Sequence, residues 1–178
     1  SQILEENVCS AIDLNKGAKI GLRLRKGPVD LMKQYDEAEV SRLVLSYAKI
    51  YNEKFPEISV LQWNMEFFTL EKNGSRAIIT MNRPEDLNAL NEEVVKQLDD
   101  RFSAADKDAK VETIFITGSG KAFVAGADIK FFVKNIQNKS LYKIVSFTKY
   151  GQEVFEKIDR SNKKVVVLMN GMALGGGL

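Results

Sequence analysis

Two short stretches carry the residue types from which a chemical site could be assembled. The first, KAFVAGADIK (121–130), passes from apolar residues through Ala125, Gly126 and Ala127 to Asp128 and Ile129. The second, NGMALGGGL (170–178), runs an extended segment into Gly175, Gly176 and Gly177. Each reads as a turn between a strand and a helix, where backbone N–H groups lack intrahelical partners and a negative charge is stabilised by hydrogen bonds and aligned peptide dipoles. Small residues let a substrate approach the backbone closely. If the two turns face one another, an N–H from each can clamp a carbonyl oxygen as it becomes an enolate, and one such donor contributes about 3–4 kcal/mol of transition-state stabilisation. Taken singly, the same residues have plainer readings. A glycine run makes a flexible turn, Asp128 caps a helix, Phe131 and Phe132 fill a core or a lid, and Lys121, Lys130 and Lys134 form a solvated face.

The elements that must position these turns follow from periodicity. Residues 1–62 read as helical, with Leu4, Val8, Ala11 and Ile12, then Val40, Leu43, Val44, Tyr47 and Tyr51 at helix spacing. Gly27-Pro28 breaks the segment, and Pro28 suits the first turn of the helix after it. From Trp63 the period changes: WNMEFFTLE and AIITMN are strand-like, and Asn73-Gly74 between them is a hairpin signal. A domain boundary is expected near 56–62, dividing residues 1–62 from residues 63–178. Beyond the hairpin, Leu90, Val94, Val95, Leu98, Phe102 and Ala105 fall on one helix face, with Asn88 or Asn91 as its cap. VETIFITGSG is a strand entering a glycine turn, and KAFVAGADIKFF passes from loop to helix near Asp128. A longer helix buries Phe147, Gly151, Val154, Phe155 and Ile158, and VVVLMN is the last long strand. Strands alternating with helices predict an α/β fold with parallel pairing.

Composition narrows the chemistry. The 178 residues contain no histidine, which excludes Ser-His-Asp and Cys-His catalysis and histidine-ligated metal; no metal site is expected. The single cysteine, Cys9, cannot form an intrachain disulfide and reads as packing. A net charge of +2 gives no argument for nucleic acid. No apolar run approaches the roughly 20 residues needed to span a bilayer, and SQILEENVCS lacks the features of a signal peptide, so the expected location is the cytoplasm.

Four ordered segments, MNRPEDLNAL (81–90), IFITGSG, KAFVAGADIK (121–130) and NGMALGGG (170–177), make residues 63–178 resemble the enoyl-CoA hydratase/isomerase family, the crotonases. The resemblance implies a spiral of ββα units, here truncated and preceded by a small N-terminal helical segment. It implies an acyl-CoA thioester as ligand, with the amides of Ala127 and Gly176 as oxyanion donors. The backbone at Ala125, Asp128 and Ile129 would meet the adenine end of coenzyme A, and Gly126 and Gly175 would line the substrate site. The position after Asn-Arg-Pro, basic in hydratases of the family, is Glu85, so Arg83 or Lys121 would supply the phosphate contact. The family's first catalytic glutamate follows the position of Leu178 by one residue, so the chain is expected to be a piece of a longer polypeptide and inactive alone. Isomerase, hydrolase or decarboxylase chemistry on the same oxyanion hole, or a non-catalytic acyl-CoA-binding module, are the alternatives.

The segment NVCSAIDLNKGAKIGLRLRKGPVDLMKQYD is similar to a helical piece of the C-terminal domain of 3-hydroxyacyl-CoA dehydrogenases, through Ala11, Ile12, Asp13, Gly21, Leu22, Lys26, Gly27 and Pro28. Together the resemblances imply a fused β-oxidation-type protein whose dehydrogenase uses NAD. This chain is expected to bind no cofactor, lacking the nucleotide fold and the dehydrogenase's histidine. Apolar surface left by the truncated spiral is expected to drive assembly into a homo-oligomer.

Overall fold

The computed structural model describes residues 8–32, 35, 37–52 and 65–178. The chain divides into two compact units, Ser1–Glu66 and Phe67–Leu178. The stretch 56–62, where sequence places the boundary, lies outside the described residues, as do Leu4 and Trp63.

In the first unit, α1 (Ala11–Gly21) begins where the Ser10 hydroxyl accepts the Asp13 N–H at 3.1 Å. Val8 therefore precedes the helix and is exposed. Pro28 opens α2 (Pro28–Met32), as its fixed φ and missing N–H favour. The two are tied by the buried Asn15, whose Oδ1 accepts the Asp30 N–H at 3.1 Å, and by Lys19, 2.9 Å from the Asp30 carboxylate. Burial raises the Asp30 pKa, but the hydrogen bonds from Lys19, the Gly27 N–H and Asn15 outweigh it, and the net shift is downward. In α3 (Glu37–Tyr51) Val40 is buried while Leu45 and Ile50 are exposed.

The second unit is built on a four-stranded mixed sheet of β1 (Phe68–Asn73), β2 (Arg76–Met81), β3 (Thr113–Gly118) and β5 (Lys164–Leu168), in that order. The first pair is antiparallel, and β2 with β3 and β3 with β5 are parallel. The hairpin is centred one residue later than the Asn-Gly signal suggests. Asn73 pairs with Arg76 and Gly74 takes the first loop position at φ +59°, where a two-residue loop favours glycine.

The crossovers are α4 (Glu92–Asp106) between β2 and β3 and α6 (Leu141–Asp159) before β5. Asn91 caps α4, its side chain accepting the Val94 N–H at 3.0 Å. The core lies between the sheet and these helices. Phe68, Ile79, Ile114, Val94, Val95, Phe102 and Val154 are fully buried there, the larger ones contributing about 1.5–3 kcal/mol each. Two elements correct the sequence reading. The residues before Ala125, expected as loop, form β4 (Ala122–Val124), which pairs in parallel with β6 (Met172–Ala173) in a second, two-stranded sheet. Leu90, expected on α4, precedes the cap and forms a parallel bridge with Ala127.

Candidate active site

The two glycine-containing turns leave the same end of one parallel ladder. β4 continues into residues 125–128 and β6 into 174–177, where Gly175–Gly177 form a short 3₁₀ turn. The Leu174 N–H donates to the Val124 carbonyl at 2.9 Å, which carries the pairing past β6 into the second turn. On the opposite side the first turn is held by the segment 87–90. Ala125 N–H donates to Leu87 O at 3.1 Å, Leu90 N–H to Gly126 O at 2.8 Å and Asp128 N–H to Leu90 O at 2.7 Å.

This register determines where the Ala127 amide points. In a parallel bridge the partner bonds to the residues flanking the bridged one; Leu90 takes Gly126 O and Asp128 N–H, so Ala127's own N–H faces away from Leu90. That is the side on which β6 and the second turn run. Gly177 and Leu178 donate to Leu174 O and Gly175 O, and Gly176, at the start of the 3₁₀ turn, has no such acceptor. Among the described residues the amides of Ala127 and Gly176 carry no hydrogen bond, and both residues are exposed.

Glycine is required where the turns touch. Gly126 has φ +94°, and a Cβ there would stand 3.3 Å from Leu174 O. Gly177 is buried, and a Cβ would overlap Val124 O and stand 2.8 Å from Val124 Cβ. An apolar cavity of about 670 Å³ opens beside the second turn, lined by Leu90, Phe155, Val165, Val167 and the glycines.

The other candidate residues have structural duties. Asp128 is buried. Its side chain accepts the Lys130 N–H at 3.0 Å, capping α5 (Ile129–Gln137), and its other oxygen is 3.0 Å from Arg83. Ile129 is 75% exposed and free to meet a ligand. Phe131, Phe132 and Phe147 form an aromatic cluster joining α5 to α6. Lys130 pairs with Asp86 at 2.9 Å, which holds its amine above the ordinary lysine range. Arg83 cannot serve as the phosphate contact: it is 8% exposed and bonded to Ala89 O, Asp86 and Asp128. Lys121 is exposed and remains available for that role.

Two asparagines fix the loop between β3 and β4: Asn88, offered by the sequence as a cap of α4 but displaced from that role by Asn91, and Asn170, which sequence reasoning missed. Asn88, fully buried at φ +56°, donates to Ser119 O at 3.0 Å and Ala122 O at 2.8 Å while accepting the Arg83 N–H at 2.9 Å. Asn170 accepts the Gly118 N–H at 3.0 Å and donates to Gly120 O and Ala122 O. The available signal was Asn in each motif, a residue that tolerates the left-handed region and bonds backbone locally.

The family described as Enoyl-CoA hydratase/isomerase matches residues 76–178. A protein named crotonyl-CoA hydratase from Syntrophomonas wolfei is 43% identical over 113 residues, covering 63% of this chain and 42% of that protein. A short-chain-enoyl-CoA hydratase from Clostridium acetobutylicum is 38% identical over 109 residues, covering 61% of this chain and 40% of that protein. The chain therefore spans about two-fifths of the length of these relatives. Among solved structures, an enoyl-CoA hydratase from Thermoplasma volcanium is similar with a TM-score of 0.55 at 38% identity, over 62% of this chain and 43% of that one.

Proposed function

The chain belongs to the enoyl-CoA hydratase/isomerase family and its second unit has the crotonase fold, and we propose that it binds an acyl-CoA thioester with the carbonyl oxygen between the amides of Ala127 and Gly176. The observation that carries this reading is the pair of unbonded N–H groups on two turns joined by one parallel ladder. Two fixed donors stabilise the enolate oxygen without reorganising at the moment of reaction. In this reading the backbone of Ala125, Gly126, Asp128, Ile129 and Gly175 lines the path of the coenzyme A portion.

Hydration also needs a general acid and base. Asp86 and Asp128, the carboxylates beside the first turn, are engaged with Arg83 and Lys130, so neither is offered for that work. Among the described residues Asp159 lines the cavity beside Gly175–Gly177, but one carboxylate is not an acid/base pair, and we therefore expect the 178-residue chain to bind an acyl-CoA without hydrating it. That the protein is of a fused type with an NAD-dependent 3-hydroxyacyl-CoA dehydrogenase is also proposed, on the motif around Gly27-Pro28. Self-association is part of the proposal, and sedimentation tests it: exposed Val167, Leu168 and Met169 on and beside the edge strand are the apolar surface it would cover.

The direct test replaces the Gly126–Ala127 peptide by an ester through semisynthesis, removing the Ala127 N–H, with an ester at Leu90, which removes the N–H that Gly126 O accepts, as the control for the weakened carbonyl. Acetoacetyl-CoA, whose β-dicarbonyl readily ionises to an enolate, should bind the Ala127 ester about 10- to 100-fold more weakly, the worth of one hydrogen bond to a charged acceptor. Unchanged affinity would remove Ala127 from the site.

A further inference from the structure

We infer that Arg83 is a positioning residue for the Ala127 amide, its guanidinium tying together the two segments on either side of the Leu90–Ala127 bridge. The inference rests on the proposed oxyanion role of Ala127. Nη1 donates to Ala89 O at 2.8 Å, one residue before Leu90, and Nη2 to Asp128 Oδ2 at 3.0 Å, one residue after Ala127. The bridge is thus enclosed by its own backbone bonds and by the arginine fork. Asp86 lies 2.9 Å from the same Nη2, and the Phe67 ring is 5.5 Å from the guanidinium carbon, so the fork is held from several sides. Its backbone N–H is in turn fixed by Asn88 at 2.9 Å.

Two consequences bear on the site. The first is direction: the peptide units on either side of Ala127 are pinned, one at Gly126 O and the other at Asp128 N–H, with the Asp128 carboxylate held by the fork, and the Ala127 N–H, trans to Gly126 O in the first unit, cannot rotate away from the second turn. The second is charge. The Asp128 carboxylate belongs to the residue after Ala127 and is 8% exposed, so left alone it would oppose a developing anion at that amide. The guanidinium neutralises it. Lysine retains the charge but, as a single point donor, cannot span a carbonyl and a carboxylate with a planar fork.

The test uses the 178-residue chain with ¹⁵N-labelled alanine, as wild type, Arg83→Lys and Asp128→Asn, the last retaining a capping side chain. Circular dichroism and thermal melting establish that each is folded. The Ala127 amide order parameter should fall from a rigid value near about 0.85 to below about 0.6 in Arg83→Lys. The carbonyl stretch of [1-¹³C]crotonyl-CoA, lowered on binding to the wild type, should lose most of its shift in Arg83→Lys and keep it in Asp128→Asn, which removes the opposing charge and leaves an amide oxygen for the fork. A folded Arg83→Lys with a rigid Ala127 amide and a full carbonyl shift overturns the inference and leaves the function standing. Absence of any carbonyl shift in the wild type overturns the function, and the positioning role with it.

Discussion

Gly177→Ala tests whether the spacing of the two turns controls ligand binding. Gly177 follows the proposed donor Gly176 and is packed on Val124, where an added methyl carbon would overlap the carbonyl oxygen and stand 2.8 Å from Val124 Cβ. Carbon atoms at rest are about 3.5–4.0 Å apart, so the second turn must withdraw from β4 by about 1 Å. The Leu174–Val124 hydrogen bond, 2.9 Å long, lies on the path of that movement. Overpacking of this kind costs about 1–3 kcal/mol of stability, a fall of about 5–15 °C in Tm for a unit of this size. A withdrawal of that size breaks the hydrogen bond from Gly176, and loss of one hydrogen bond to a charged acceptor weakens binding about 10- to 100-fold. Calorimetry with acetoacetyl-CoA and a thermal melt measure both. Gly74→Ala is the control: φ there is +59° and a Cβ meets nothing within 4 Å, so it costs about 1–2 kcal/mol of backbone strain without touching the turns. The reasoning fails if Gly177→Ala binds within about twofold of wild type while melting lower, because the turns would then have separated without consequence.

Asn88→Ala removes a fully buried side chain with three hydrogen bonds and leaves alanine at φ +56°; unfolding in urea should show a loss of about 2–4 kcal/mol. Gly151→Ala, inside α6 where a Cβ meets nothing within 4 Å, should stabilise by about 0.5–1 kcal/mol, read as a higher Tm. The clamp between α4 and α6 is pH-sensitive at both ends. Asp99 accepts from Tyr150 at 2.9 Å and from Lys157; burial raises its pKa, but these bonds outweigh burial and lower it. Its contribution is present above the unfolded carboxylate pKa of about 3.9 and is lost as the pH falls below it. Burial and the Asp99 carboxylate push Tyr150 up to about 12, so its contribution is present below about pH 10 and lost as the pH rises from there. Tyr150→Phe should therefore melt lower than wild type at pH 7 and converge with it only as the pH approaches about 12.

Elements with a complete local signal were legible in the sequence. The strands on either side of Gly74, α4 with its cap, α6 with its apolar face, and the alternation that forces β2, β3 and β5 into parallel register each follow from spacing, a cap or a turn residue lying within the segment itself. The fold class and the family follow from those segments and their order. β4 escaped because three residues, all buried, show no alternation, and a strand that short is formed by its partner and not by its own pattern.

Leu90 shows why the site was less legible than the fold. It lies four residues before Val94 and eight before Leu98, so its spacing is that of a helix face; only the Asn91 side chain, accepting from Val94, ends the helix before reaching it. Released from α4, Leu90 gives its backbone to Gly126 and Asp128 and its side chain to the neighbourhood of Gly176, where a Cβ would meet Leu90 Cδ1 at 3.2 Å. One residue thus touches both turns across separations of 36 to 86 positions in the chain. Periodicity reports only what repeats within one element, and a residue whose task is to join two distant turns leaves no period. Arg83 is hidden for the same reason: a cation in a polar loop reads as a ligand contact until its acceptors, at 86, 89 and 128, are brought around it by the β2–β3–β4 path. Its burial at 8% exposure turns the expected phosphate contact into an internal brace, since a guanidinium withdrawn from water must be satisfied by the protein's own oxygens.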